Sequence, residues 1–328
     1  MQVYLLLTEK CNLNCGMCIR GRQNGTEFSC ATLKKIFSSQ SFKIHDVILT
    51  GGEPTLHSNF SEILGLAAAH AKTVTVTTNG TLKSRFAALT NIGDNVSFQI
   101  SVDGDEIFHD KIRGAGNFQK TFDTIRLLDE KSFRYALASV VNRNNLQSMS
   151  NLLKIVESLP RLEHWKISYE MPFGSASLEN SLPVETWNAF VDEIIKRARC
   201  RLLIKKIFPF ELYDKNFDKL RALLNTRGRV KNCGGGRDKI YVYPDLKVYP
   251  CTCLKDFCVG NLETETLDEI LSGDAIKPFV EYKISARSKC RDCKYKIFCN
   301  GGCIGMSWHV FKKFGMGDVR CPRLKTCR

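Results

Sequence analysis

Fifteen cysteines in 328 residues carry most of the chemical potential of this chain, and they are grouped rather than scattered. They fall at 11, 15 and 18; at 233, 251, 253 and 258; at 290, 293, 299 and 303; and at 321 and 327, with Cys30 and Cys200 apart. An odd number cannot pair completely into disulfides. The N-terminal residues also lack a signal-peptide pattern, so a reducing, cytoplasmic setting and metal binding are expected. The run Cys11-x3-Cys15-x2-Cys18 can hold three irons of a 4Fe–4S cube and leave the fourth open to an exogenous ligand. A zinc loop, or three reduced thiols, is the plain alternative. Downstream, Cys290-x2-Cys293-x5-Cys299-x3-Cys303 with Cys321 beyond it suggests, on its own, structural zinc. With Cys233 and Cys251 upstream the thiols outnumber one zinc site and suit two cubanes.

Loops of this kind need a scaffold that brings them to one place. The first half alternates strand and helix. Strands are expected at 2–8, 45–50, 73–78, 96–102, 134–141 and 165–170, with apolar runs such as Val47-Ile48-Leu49 that suit strands covered on both faces. Helices are expected near 31–39, 60–72, 82–90, 118–131 and 146–159. Six strands with five helices between them imply an α/β fold, a partial (β/α)6 TIM-like barrel, followed by a small Cys-rich domain. The expected division is a barrel at 1–180, a helical bridging region at 181–230 and the Cys-rich module at 231–328.

A barrel works at the carboxyl ends of its strands. The first strand runs into the Cys11 loop and the second into Gly51-Gly52-Glu53-Pro54. Later strands end at Asn79, at Ser101 and Asp103, and at Asn142. Short polar residues recur at every strand end. His109, Asp110 and Arg113 read as a polar-capped loop before the next helix.

The Cys-x3-Cys-x2-Cys loop followed by Gly-Gly-Glu-Pro resembles the radical S-adenosylmethionine superfamily. That resemblance implies an open iron that binds the cofactor's amino and carboxylate groups, with Gly51, Gly52 and Glu53 at the methionyl amine. It places Ser101 and Asp103 near the ribose, and Asn142 near the ribose or the methionine carboxylate, and Asn79 is counted with them among the cofactor-binding residues. Met17 stands where an aromatic residue is common. The second half resembles the SPASM extension of such enzymes. Carried over, Cys290, Cys293, Cys299 and Cys321 would hold a distal auxiliary cluster, and Cys233, Cys251 and Cys303 a proximal one. Its fourth ligand is open between Cys253, Cys258 and an unligated iron. This chain has Leu246 where the extension usually has a glycine before the second upstream cysteine. In all, three 4Fe–4S clusters and S-adenosylmethionine are implied.

The function implied is that of a peptide maturase. A 5′-deoxyadenosyl radical would take hydrogen from a ribosomally made precursor and form an oxidative crosslink. A peptide epimerase is an alternative, for which Cys200, Cys253, Cys258 or Cys30 would serve as the thiol hydrogen donor. A sulfatase-maturing enzyme fits less well, because Thr252 stands where those enzymes carry Asp. From another class, a zinc-rich nucleic-acid-binding module is suggested by 48 Lys+Arg against 34 Asp+Glu, a net charge of +14. Thiolates on clusters would offset part of that charge, so nucleic acid is not expected as a partner. No apolar run approaches the roughly 18 residues of a membrane span. Expected partners are the precursor peptide, with an acidic segment, and a reductant such as flavodoxin or ferredoxin. The first strand begins at Gln2, so leader recognition is expected to fall to the rim, the basic stretch at 183–229, the Cys-rich module or a separate leader-binding protein.

Overall fold

The computed structural model describes residues 1–21, 25–39, 45–227 and 234–325. Strands and helices alternate from the start: β1 (Gln2–Thr8), α1 (Cys30–Ser39), β2 (Asp46–Gly51), α2 (Phe60–His70), β3 (Thr73–Thr78), α3 (Lys83–Ala87) and β4 (Val96–Ser101). Two helices follow in succession, α4 (Glu106–Arg113) and α5 (Asn117–Glu130), then β5 (Tyr135–Val141), α6 (Met149–Glu157) and β6 (Leu162–Tyr169). The bridging region holds α7 (Val184–Arg197), β7 (Leu202–Leu203), α8 (Phe210–Lys215) and α9 (Phe217–Arg227). The cysteine-rich part contributes β8 (Lys239–Val242), β9 (Lys247–Tyr249), β10 (Gly260–Asn261), α10 (Leu267–Ser272), α11 (Lys277–Val280), α12 (Lys296–Cys299) and α13 (Ile304–Phe311).

Helix α4 replaces the loop expected around His109, Asp110 and Arg113, and its signals are local. The Asp105 side chain caps it by accepting from the Phe108 N–H at 3.4 Å. Glu106 lies in the first turn and Lys111 and Arg113 in the last, which complements the helix dipole. Gly114 ends it at φ 101°, a conformation that favours glycine.

One sheet runs in the order β10-β9-β8-β1-β2-β3-β4-β5-β6-β7. From β1 to β6 each strand pairs in parallel with the next, the arrangement that β-α-β crossovers produce. β8 also joins in parallel, on the free edge of β1 with Tyr241 opposite Tyr4, so the cysteine-rich part grows out of the barrel's own sheet. On the far side the rim curls back. The Ser175 N–H, beyond β6, donates to Cys18 O at 2.9 Å. Gly174 (φ 66°) allows that approach, since a Cβ there would sit 2.4 Å from the same oxygen.

The two faces of the sheet differ. Val3, Leu5 and Leu7, with Val47, Leu49, Val74, Val76, Phe98, Ile100, Leu137 and Trp165, form a continuous core under the helices. The expectation of strands covered on both faces holds for β1 and β2, where Leu5, Leu6, Leu7, Val47, Ile48 and Leu49 are all buried. It fails for β3, β4 and the second half of β6, whose burial alternates: Thr75, Thr77, Ser97, Gln99, Lys166 and Ser168 are half-buried on the inner face. The barrel therefore encloses a polar, accessible lumen. In the hairpin between β8 and β9, Leu246 adopts φ 63°, a left-handed conformation that a glycine would take without cost. Among the described residues no helix is long and apolar enough to cross a membrane.

Candidate active site

The loop after β1 is pinned to its neighbours through main-chain bonds. The Gly52 N–H donates to Thr8 O and the Glu53 N–H to Lys10 O, both at 2.8 Å. A Cβ at Gly52 would lie 2.3 Å from Lys10 O, and one at Gly51 would lie 2.4 Å from Thr8 O, so both glycines are demanded by close approach. Asn12 ties the same loop to the end of β3. Its Nδ2 donates to Thr81 Oγ1 at 2.8 Å, and its Oδ1 accepts from Asn79 Nδ2 at 2.9 Å. Asn79 is thus a brace for the cysteine loop.

Cys11, Cys15 and Cys18 are free thiols sharing this loop, Cys11 exposed and the others half-buried. Although Cys11 reaches the surface, the protein packed around its sulfur pushes the thiol up to about 11, and Glu53, Cys15 and Cys18 push the same way. Burial also raises Cys15, opposed by the Arg113 guanidinium. Crowded thiols such as Cys11 and Cys15, which resist ionising, are what a metal must deprotonate to bind, and a cation beside them lowers that cost. Among the described residues no three His, Cys, Asp or Glu side chains converge on one point that would hold a single metal ion. A cubane takes one thiolate per iron at separate corners and needs no such point.

The rim residues prove to be heavily engaged with one another. Glu53 is 1% exposed. Its Oε1 accepts from the Thr55 N–H (3.1 Å), Thr55 Oγ1 (2.6 Å) and Thr78 Oγ1 (2.6 Å), and its Oε2 from the Asn79 N–H (2.8 Å). Burial still raises its pKa against these donors. Glu53 therefore clamps β2 to β3 whatever else it touches. Asp103, fully buried, accepts from Arg113 Nε at 2.5 Å and from the Val140 N–H at 2.7 Å. Ser101 is half-buried on the lumen face, and Asn142 donates to Glu170 Oε2 at 2.6 Å.

Three side chains here had no site role in the sequence reading. Arg113 reaches back from α4 to Asp103 and toward the cysteine loop. The signal for it was its place one helix past Asp103. Arg20, half-buried two residues after Cys18, donates to Thr50 Oγ1 at 3.2 Å beside Tyr241 of β8 and Tyr243 just beyond it. Glu170 continues the inward row of β6. Asp110 is a plain cap: its carboxylate accepts from the Gly116 and Phe118 N–H groups at 2.5 and 2.7 Å.

The downstream cysteines separate into two neighbourhoods. Burial raises Cys299 to about 11, with Cys321, Cys290 and Cys293 adding to the rise, and Cys321 feels Cys290 and Cys293 in the same way. Gly317 leaves room for the first of these, since a Cβ there would lie 2.7 Å from Cys290 Sγ. In the other group, a bond from Cys253 draws the Cys251 thiol down to about 6. Gly305 sits against both Cys253 and Cys303, with its Cβ position 3.1 Å from Cys253 Cβ and 3.6 Å from Cys303 Sγ. Cys258 is exposed at a turn, its thiol donating to Gly260 O at 3.3 Å beside Lys247 and Tyr249. Cys233 and Cys327 lie outside the described residues.

Cys200 is displaced from any rim role. It precedes β7, whose Leu202 pairs with Trp165, while the Arg201 carbonyl accepts from the Trp165 N–H. That is five residues short of the rim, roughly 15 Å along a strand. Cys30 opens α1 and packs against the helical core. The open depression lined by Met1, Asp46, Arg237 and Asp238 is also at the amino ends of the strands, away from all these groups.

The Radical SAM superfamily profile matches residues 5–155, and the SPASM iron-sulfur cluster-binding domain matches residues 233–294. The mycofactocin maturase of Mycolicibacterium smegmatis is 34% identical over 327 residues, covering 96% of this chain and 81% of that protein. The chain belongs to the radical SAM superfamily. The antilisterial bacteriocin subtilosin biosynthesis protein of Bacillus subtilis is 25% identical over 316 residues, covering 90% of this chain. The chain spans 65% of that relative's length, slightly under two thirds. Among solved structures, Streptococcus suis SuiB bound to S-adenosylmethionine superposes with a TM-score of 0.78 at 18% identity, covering 98% of this chain and 77% of that one. That likeness is one of fold. The superfamily implies S-adenosylmethionine and iron–sulfur clusters, and both fit this radical SAM chain. A loop of three free thiols stands over the lumen, and a buried carboxylate oxygen of Glu170 within it has no protein partner.

Proposed function

We propose that this chain is a radical SAM maturase acting on a ribosomally made peptide, most directly as a crosslinking enzyme. The observation that carries the reading is the cysteine loop of β1 standing over a polar lumen, with a second, cysteine-rich part built onto the edge of the same strand. The names of the mycofactocin and subtilosin relatives support a peptide as substrate. In this reading residues 1–180 form the barrel, 181–230 the bridge and 231–328 the auxiliary module. Cys11, Cys15 and Cys18 would hold one 4Fe–4S cluster. Cys290, Cys293, Cys299 and Cys321 would hold a second, and Cys251 and Cys303, with Cys253 and Cys233, a third. Grouping around Gly305 favours Cys253 over Cys258 as the added ligand.

When bound, the cluster and S-adenosylmethionine supply a 5′-deoxyadenosyl radical that can take hydrogen from an unactivated C–H bond. The chain's own residues do the rest. Gly51 and Gly52 let the second strand end lie directly against the cysteine loop. Arg113 offsets negative charge on Cys15. Asn12, Asn79 and Glu53 hold the loop in register with β3. The bond from Ser175 to Cys18 ties the segment after β6 to the cysteine loop and so fixes one side of the rim. A flavodoxin or ferredoxin would deliver the electron, and a separate protein could present the leader.

Cys15→Ala tests the assignment. The variant is expected to retain about eight of roughly twelve irons and to form no 5′-deoxyadenosine. Normal cofactor cleavage by it would refute the reading. With the precursor from a neighbouring reading frame, mass spectrometry separates a crosslink, which removes two hydrogen atoms, from an epimerisation, which leaves the mass unchanged.

A further inference from the structure

Glu170 is an acidic side chain in the lumen that neither the cysteine loop nor the Gly-Gly-Glu-Pro turn accounts for. It directly follows β6 and is 1% exposed. Trp165, Ile167 and Tyr169 pack into the helical core, so Lys166, Ser168 and Glu170 form the inward row. Its main chain is fixed, the Glu170 N–H donating to Val141 O at 3.1 Å. Its Oε2 accepts from Asn142 Nδ2 at 2.6 Å. Its Oε1 is buried with no protein partner.

The neighbours do not share that condition. Both Asp103 oxygens are engaged, by Arg113 and Val140. Asn142 gives its amide to Glu170 and accepts from the Asn144 N–H at 2.8 Å through Oδ1. Glu170 Oε1 therefore keeps its accepting capacity while itself presenting no surface to solvent. Burial raises the pKa of this carboxyl, and nearby Asp103 raises it further, against the bond from Asn142. Buried acceptors without partners are rare because the lost hydration is not repaid, and a ligand donor repays it.

We propose that Glu170 is a further cofactor-contacting residue whose Oε1 accepts a hydrogen bond from a ribose hydroxyl of S-adenosylmethionine. This rests on the radical SAM reading above. The occupant must offer a donor, which excludes the methionyl carboxylate and the sulfonium. The methionyl ammonium belongs with the cysteine loop after β1. The adenine amino group and the ribose hydroxyls are the donors left. The hydroxyls are assigned because Glu170 bonds Asn142 and lies beside Asp103, the residues expected at the sugar. A wild type indifferent to both hydroxyls would point to the amino group instead.

The test is equilibrium binding of S-adenosylmethionine and its 2′-deoxy and 3′-deoxy analogues to the anaerobically reconstituted chain, with iron content as the folding control. Glu170→Met keeps the side-chain length and removes both oxygens. It is expected to weaken S-adenosylmethionine roughly ten-fold or more, the range for a hydrogen bond to a charged group. The wild type should lose a similar factor with one deoxy analogue, and the variant should lose nothing further with that analogue. If the methionine variant fails to take up iron, Glu170→Gln, which keeps an oxygen for Asn142, carries the same comparison. Equal affinity of variant and wild type for S-adenosylmethionine would overturn the proposal. So would a wild type indifferent to both hydroxyls, or a loss confined to peptide affinity. A wild-type chain that binds no S-adenosylmethionine at all would instead overturn the radical SAM reading itself.

Discussion

His109 sits fully buried behind the rim, where its Nδ1 accepts from the Asp103 N–H at 3.3 Å. Burial, helped by Arg113 and opposed by the acids Asp103 and Asp110, lowers its pKa to about 4. In the unfolded chain the same group titrates near 6.5. Between those values the unfolded chain binds a proton that the folded chain refuses. Stability from this group is therefore complete above about pH 6.5 and is lost as pH falls toward 4, at up to about 1.4 kcal/mol per unit. Denaturant midpoints for wild type and His109→Gln at pH 7.5, 6 and 5 should diverge, the wild type falling more steeply. Parallel profiles would show that the histidine is not held neutral. The charge that matters most here is Arg113, which serves Asp103 and the cysteine loop at once.

At the scale of elements, the turn after β2 decides whether the cysteine loop can form. Gly52 does not adopt a left-handed conformation, so its requirement is space: an added Cβ would fall inside contact distance of the Lys10 and Glu9 carbonyl oxygens. Backbone cannot yield there as a flexible side chain would. Gly52→Ala is expected to displace the Cys11 loop and cost about four of roughly twelve irons, with the auxiliary module still loaded. Iron and sulfide analysis of the purified variant checks this. Full iron with normal S-adenosylmethionine binding would mean the loop has slack that the structure does not show.

Across the whole molecule, the auxiliary module meets the barrel along a shared strand edge and through Arg320, which a buried ion pair inside the module holds in place. Arg320 donates to Asp318 through Nη2 and Nε at 2.6 and 2.9 Å, with the two side chains only 10% and 0% exposed. Its guanidinium lies 5.4 Å over the Tyr169 ring at the end of β6, and Asp318 also accepts from the Cys303 N–H at 3.1 Å. Removing one partner of a buried pair strands the other, at about 3–5 kcal/mol. Asp318→Ala should therefore lower the thermal midpoint of the iron-loaded chain and release auxiliary iron before barrel iron. An unchanged midpoint would mean that the pair does not support Arg320 against Tyr169. The basic stretch that runs through α7 and beyond it is less telling. Arg197 pairs with Glu193, Lys206 pairs with Asp192 (both 2.6 Å), and the Arg199 N–H donates to Glu157, so acids interleave with the bases.

The spacing of Cys11, Cys15 and Cys18, the Gly-Gly-Glu-Pro turn and the strand–helix alternation are local features, and the chain states them outright. The alternating TVTVTT and VSFQIS segments also carried the polar lumen in plain view, although apolar runs in β2 suggested strands covered on both faces. What the sequence could not express were choices between distant partners. Whether Glu53 spends its oxygens on Thr55, Thr78 and Asn79 depends on two strand ends meeting. The separation of Cys251, Cys253 and Cys303 from Cys290, Cys293, Cys299 and Cys321 depends on glycines that let backbone pass close to sulfur. Cys200 is a candidate by residue type and loses its place through strand register. The open oxygen of Glu170 exists because Asn142 satisfies one side of a carboxylate and nothing in the protein satisfies the other. Spacing along a chain fixes which groups can share a loop, whereas donors and acceptors are matched in three dimensions, and only the packed structure shows which are left over.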